Sequence, residues 1–283
     1  MAMTLRLPPE VEEQLKQVAE IEHRSLQQTV LVAIEEYLAV RETAEILAEQ
    51  YKISRDDQDA FALESHRRAA RAAAECRFKS EIVAIEKTDK KGNVACLEKD
   101  EHVRTDVTPE ALSKLPPVFS KTGTITAGNS SGITDGAAAV VLASESKMRE
   151  LGLTPLARIV DATVAAVDPR VMGIAPVPAV HTLTRRTATK VADYDAIELN
   201  EAFAAQVIAC DRELHFDPQR LNPNGGAIAL GHPIGCSGAR ILTTLVHQLR
   251  ANPSARHQLA GRKGLATLCV SGGMGVAVEI EKI

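Results

Sequence analysis

Ala196-Ile197-Glu198-Leu199-Asn200-Glu201-Ala202-Phe203 is a short apolar run that passes directly into a helical pattern reaching Leu214. A buried strand followed at once by a helix is half of a βαβ unit. The surrounding sequence continues the alternation. Residues 157–160, 264–269 and 276–280 read as further buried strands, and 177–186 and 238–250 as further helices. The expected fold is therefore α/β, with a largely parallel or mixed sheet. Upstream, 124–126 and 137–142 also read as short buried strands. Ser54 reads as the cap of a helix reaching about Glu75, with Asp56 and Asp57 in its first turn. Residues 81–125, with a β-type run at 81–85 and Pro116-Pro117, read as an irregular α+β subdomain.

The composition is that of a soluble globular protein: 283 residues, 45% hydrophobic, 25% charged, with no Trp. No uncharged apolar stretch is long enough for a membrane span, and the N-terminal residues lack the apolar core of a signal peptide. Cys76, Cys96, Cys210, Cys236 and Cys269 are an odd number, with no CxxC pair. That spacing points to a reducing, cytoplasmic setting without a zinc site or other metal centre.

Charge is unevenly placed. Residues 1–42 hold four basic and eight acidic residues, against 33 and 37 for the whole chain, and so carry its entire net charge of −4. Thr4-Leu5-Arg6-Leu7 alternates like a half-buried strand, Pro8-Pro9 stops it, and two amphipathic helical stripes follow. This strand–helix–helix pattern resembles the ribbon-helix-helix fold of small antitoxins and repressors. The resemblance implies DNA contact through Thr4 and Arg6, and pairing of two chains. An amphipathic hairpin docked on the rest of the protein fits the same residues.

Three strand ends could carry chemistry, since loops at strand ends are where α/β folds place functional groups. Asn200 stands at the strand-to-helix junction, where a helix N-cap is its simplest reading. His232 lies within Asn224-Gly225-Gly226-Ala227-Ile228-Ala229-Leu230-Gly231-His232-Pro233-Ile234-Gly235-Cys236-Ser237-Gly238, whose five glycines imply unusual backbone and close approach. Cys269 ends an apolar strand before Ser271-Gly272-Gly273, a position open to a buried small hydrophobe as well as to a reactive thiol.

Taken together, these three ends resemble the thiolase family over about residues 41–283. Longer matches carry the resemblance: Ile53-Ser54-Arg55-Asp56-Asp57-Gln58-Asp59-Ala60-Phe61-Ala62, the run from Thr126-Ala127-Gly128-Asn129 to Ala137, Asn200-Glu201-Ala202-Phe203, and Gly231-His232-Pro233. The resemblance implies acyl transfer between a cysteine and coenzyme A, with acyl-CoA as substrate and no covalently bound cofactor. By motif, His232 matches the base that activates thiols and Cys269 the acid/base at the α-carbon. Asn200 matches the residue holding a water that completes an oxyanion hole with His232. Arg104, Phe119 and Ser131 match positions lining the coenzyme A groove, and Met172 and Phe203 positions near its pantetheine and acyl end. Ser271 stands where the family usually has a glycine whose N–H serves a second oxyanion hole.

The resemblance also implies a division of the chain. Residues 1–42 would be the ribbon-helix-helix-like segment and 43–131 the coenzyme A-binding loop subdomain. Residues 132–152 would be a strand belonging to an absent first half, and 153–283 the layered α-β-α C-terminal half. On that reading the family's nucleophilic cysteine is missing, the chain is an impaired acyltransferase, and it self-associates through residues 1–42 or exposed strand edges. The alternative is a ribbon-helix-helix DNA-binding or antitoxin-like module carrying an inert thiolase remnant.

Overall fold

The computed structural model describes residues 43–88, 92–251 and 262–283, together with residues 13 and 16. The ribbon-helix-helix reading, with Thr4 and Arg6, therefore lies outside the described residues.

Residues 43–50 are helical, and Ser54 then starts α1 (Arg55–Ala74) with a reciprocal capping box. The Ser54 hydroxyl accepts from the Asp57 N–H, and the Asp57 carboxylate accepts from the Ser54 N–H. Next come an exposed antiparallel hairpin, β1 (Ile85–Thr88) and β2 (Val94–Leu97), and a single helical turn at Pro109–Ser113. The chain continues with α2 (Glu145–Leu151), β3 (Ala157–Ala166), α3 (Pro176–Thr187), β4 (Ala196–Leu199) and α4 (Ala204–Leu214). It ends with α5 (Ile234–Ala251), β5 (Lys263–Val270) and β6 (Met274–Lys282).

One mixed sheet, in the order β3-β6-β5-β4, organises the C-terminal part; β4 and β5 are parallel and the other pairs antiparallel. Side chains alternate across it. Ile197 and Leu199 of β4, Leu265 of β5 and Ala277 of β6 pack with Val180 and Leu183 of α3 and Val207 of α4. The intervening Ala196, Ala266 and Ile280 pack with Ile241, Leu245 and Leu249 of α5 on the other face. Helices cover both faces, and the layered α-β-α expectation holds.

Two expected strands do not form. Residues 137–142 have no regular secondary structure, and Val141 is 93% exposed. No strand among the described residues lies beside them, so an apolar run has no ladder to join. Residues 124–126 contribute only an isolated bridge from Thr126 to Pro117. Their amides turn elsewhere: Thr124 and Ile125 donate to the Glu45 carboxylate, and Thr126 to Asn129 Oδ1.

Candidate active site

Parallel pairing of β4 and β5 brings two of the three strand ends to one edge of the sheet. Leu199 pairs with Thr267, and the Asn200 N–H continues the ladder to the Thr267 carbonyl at 3.0 Å. Cys269 follows two residues along β5, opposite Gly275 of β6. A Cβ on Gly275 would lie 2.1 Å from the Ala175 carbonyl oxygen, so only glycine lets that segment cross here.

Asn200 is not a helix cap. Helix α4 begins at Ala204 with Phe203 in the cap position, and the Asn200 side chain turns to His232 instead, Nδ2 to Nε2 at 3.3 Å. Asn200 is fully buried, and its Oδ1 has no hydrogen-bond partner among the described residues.

His232 is held from three sides. Its N–H donates to the Gly132 carbonyl at 2.8 Å. The preceding Gly231 has φ +97°, and a Cβ there would lie 2.4 Å from Thr134 Oγ1. Its Nδ1 lies 2.6 Å from Ser237 Oγ, while the Ser237 hydroxyl donates to the Pro233 carbonyl at 3.1 Å. A hydroxyl has one proton to give, so Nδ1–H is the donor to Ser237 and Nε2 is left unprotonated towards Asn200. Burial, and secondarily the Arg240 charge, lower the His232 pKa and keep that nitrogen available as a base.

Arg240 itself, one helical turn beyond Ser237 on α5, pairs with the buried Glu198 at 3.2 Å, and Gln248 donates to the other Glu198 oxygen at 2.6 Å. Burial pushes Glu198 up to about 7. Neighbouring Glu201 accepts from Ser65 Oγ, Asn222 Nδ2 and the Ile228 N–H, tying α1 and the glycine loop to the β4–α4 junction.

Cys269 sits against Met172, Ala202 and Phe203 in an apolar wall, and its burial raises the thiol to about 12. Phe119 meets Phe203 edge to face, with centroids 6.1 Å apart. Ser131 donates to the Ala202 carbonyl through both N–H and Oγ. Met172, Phe203, Phe119 and Ser131 thus connect directly to the Asn200–Phe203 junction. Arg104 stands apart from them, exposed, with its backbone N–H donating to His66 Nδ1 at 3.3 Å.

Ser271 is exposed at the start of a turn whose left-handed backbone falls on Gly272 (φ +80°) and Gly273 (φ +87°). A serine is therefore accommodated without strain at the position where the resemblance leads one to expect glycine. Glu198 and Arg240 carry no sequence signature of function. Ser237 had one signal, a hydroxyl in the first turn of the helix that follows His232.

Comparison with known proteins extends these observations. The model of the thiolase C-terminal domain matches residues 153–282, and that of the thiolase N-terminal domain matches residues 2–146. Beta-ketoadipyl-CoA thiolase of Pseudomonas putida is 52% identical over 244 residues, 86% of this chain and 59% of that protein. Acetyl-CoA acetyltransferase of Shinella zoogloeoides is 48% identical, over 85% and 59%. Among solved structures, Bacillus anthracis acetyl-CoA acetyltransferase superposes with a TM-score of 0.80 at 48% identity, over 86% of this chain and 59% of the other. Human mitochondrial 3-ketoacyl-CoA thiolase in complex with CoA does so with a TM-score of 0.80 at 44% identity, over 86% and 58%.

The chain spans about three-fifths of the length of these relatives. The N-terminal match includes the stretch expected to be ribbon-helix-helix-like, and the comparisons support neither that segment, nor a chimera, nor an absent half. No helix among the described residues is long and apolar enough to cross a membrane. The family-model matches, to residues 2–146 and 153–282, establish that the chain belongs to the thiolase family.

Proposed function

We propose that this chain binds acyl-CoA and carries the proton-transfer part of a thiolase-type acyl transfer between acyl-CoA, acetyl-CoA and 3-oxoacyl-CoA. The observation that carries the reading is the Asn200–His232–Ser237 relay, which leaves His232 Nε2 unprotonated and facing a buried asparagine. In this reading His232 Nε2 takes the proton of a coenzyme A thiol. That thiolate adds to the 3-oxo carbon, and as the carbon–carbon bond opens Cys269, protonated at neutral pH because its thiol is pushed up to about 12, gives its proton to the α-carbon and regains one from His232. The unpartnered Asn200 Oδ1 fits the role of holding a water that, with His232, stabilises the thioester oxyanion. Arg104, Phe119 and Ser131 would line the coenzyme A groove, and Met172 and Phe203 would meet the pantetheine and acyl end. A guanidinium suits the phosphates or the adenine face.

The chain by itself is expected to be a weak thiolase. Burial pushes the Cys210, Cys236 and Cys269 thiols upward, and Cys96 is exposed on the β1–β2 hairpin with a raised pKa. A thiol held protonated is a poor covalent nucleophile.

Two measurements test the reading with the full chain. Calorimetry should show coenzyme A binding that Arg104→Ala weakens about fivefold, as expected for about 1 kcal/mol of lost phosphate contact; no binding at all removes the ligand class. Thiolysis of acetoacetyl-CoA should be slow and should fall further in His232→Ala. Turnover at the rate of full-length relatives refutes the impairment.

A further inference from the structure

We infer that His102 is a positioning residue that clamps the His232 loop to the coenzyme A-groove subdomain through the Ala229 carbonyl. His102 belongs to the irregular stretch before Arg104, far in sequence from the glycine loop. Its Nδ1 nevertheless lies 3.0 Å from the carbonyl oxygen of Ala229, three residues before His232. A carbonyl only accepts, so Nδ1–H is the donor and the ring's orientation is set.

The other side of the ring is occupied as well. A Cβ on Gly132 would lie 2.1 Å from His102 Nε2, so the imidazole packs directly on the Gly132 backbone. Gly132 in turn accepts the His232 N–H at 2.8 Å, and its neighbour Ser131 holds Ala202 at the Asn200 junction. One imidazole thus braces both strands of backbone that fix His232, from a segment whose Arg104 N–H is itself bonded to His66 on α1. Loss of the Nδ1 donor leaves the Ala229 carbonyl to recruit water beside His232, and a wetter imidazole titrates higher.

This inference rests on His232 being the base proposed above, but its test reads the His232 ring directly and so decides the clamp whether or not the chain turns over an acyl-CoA. Long-range proton–nitrogen spectra of the full chain follow the His232 titration, the signal being identified by its disappearance in His232→Asn. His102→Leu keeps the bulk and deletes the donor. His102→Asn removes bulk but places an amide N–H near the Nδ1 position. The clamp predicts an upward shift of the His232 midpoint in His102→Leu and a midpoint close to the parent's in His102→Asn. An unchanged midpoint in His102→Leu, or a shifted one in His102→Asn, overturns it, because a purely space-filling role gives that reverse pattern. If His102→Leu fails to fold, His102→Asn alone decides: a parent-like midpoint supports the clamp and a raised one overturns it.

Discussion

Residues 137–142 (Ala-Ala-Ala-Val-Val-Leu) and residues 264–269 (Gly-Leu-Ala-Thr-Leu-Cys) are apolar runs of the same length, and both read as buried strands. One is the centre of the sheet, with β4 on one side, β6 on the other and Leu265 fully buried. The other has no regular structure and exposes Val141 and Leu142. An apolar run thus specifies a demand for neighbours, while the ladder that makes it a strand is supplied from elsewhere in the chain. For β5 the supply is local on one side, through the tight turn into β6, and distant on the other, through β4.

The sharpest way to break the ordered half is through the helix that covers it. Leu245 is fully buried and packs over Gly264, where a Cβ would lie 2.9 Å from its Cδ1. Leu245→Ala is expected to cost about 3–5 kcal/mol in urea unfolding, through lost burial and a residual cavity. A cost below about 1 kcal/mol would show that α5 does not hold the sheet as described.

A second effect tests the charge buried beside the site. The folded chain keeps a proton on Glu198 up to about 7, while the unfolded chain releases it near the ordinary carboxylate value of 4.5. The associated stabilisation is complete below that lower value and disappears as pH rises through 7, a change on the order of 3 kcal/mol. Unfolding measured at about pH 5 and about pH 8 should therefore show a loss that Glu198→Gln reduces, the remainder belonging to Glu81, which burial also pushes up to about 7. His66, kept neutral down to about 4 by burial, acts with the opposite sign in both proteins and cancels in the difference. Equal pH dependence in the two proteins would contradict the buried, proton-retaining Glu198.

The smallest effect belongs to the irregular run. Val141→Ala should change stability by no more than about 0.5 kcal/mol, because the side chain already faces solvent. A larger loss would mean that residues 137–142 are covered in solution.

Much of this was legible beforehand. Strands β4 and β5, helices α3 and α5, and the capped helix α1 agree with their patterns to within a few residues, because each is dictated by local periodicity and end chemistry. The misreadings share one cause. Asn200 resembles a cap because a strand meets a helix beside it, yet α4 begins only at Ala204, with Phe203 in the cap position. Ser237 and His102 are less legible, because a hydroxyl in a helix's first turn is a weak signal and a histidine in a charged loop carries no local signature of function.

Local sequence dictates the alternation of strand and helix, the apolar stripes on both sheet faces, and the glycines at Gly231, Gly272 and Gly273 whose backbone no other residue adopts easily. That Asn200 meets His232 across 32 residues, and that His102 reaches Ala229 across 127, follows from the packed fold alone. A helix cap or a glycine turn is an interaction among neighbours along the chain. A hydrogen bond between distant side chains exists only after the packed layers have fixed where each strand end points.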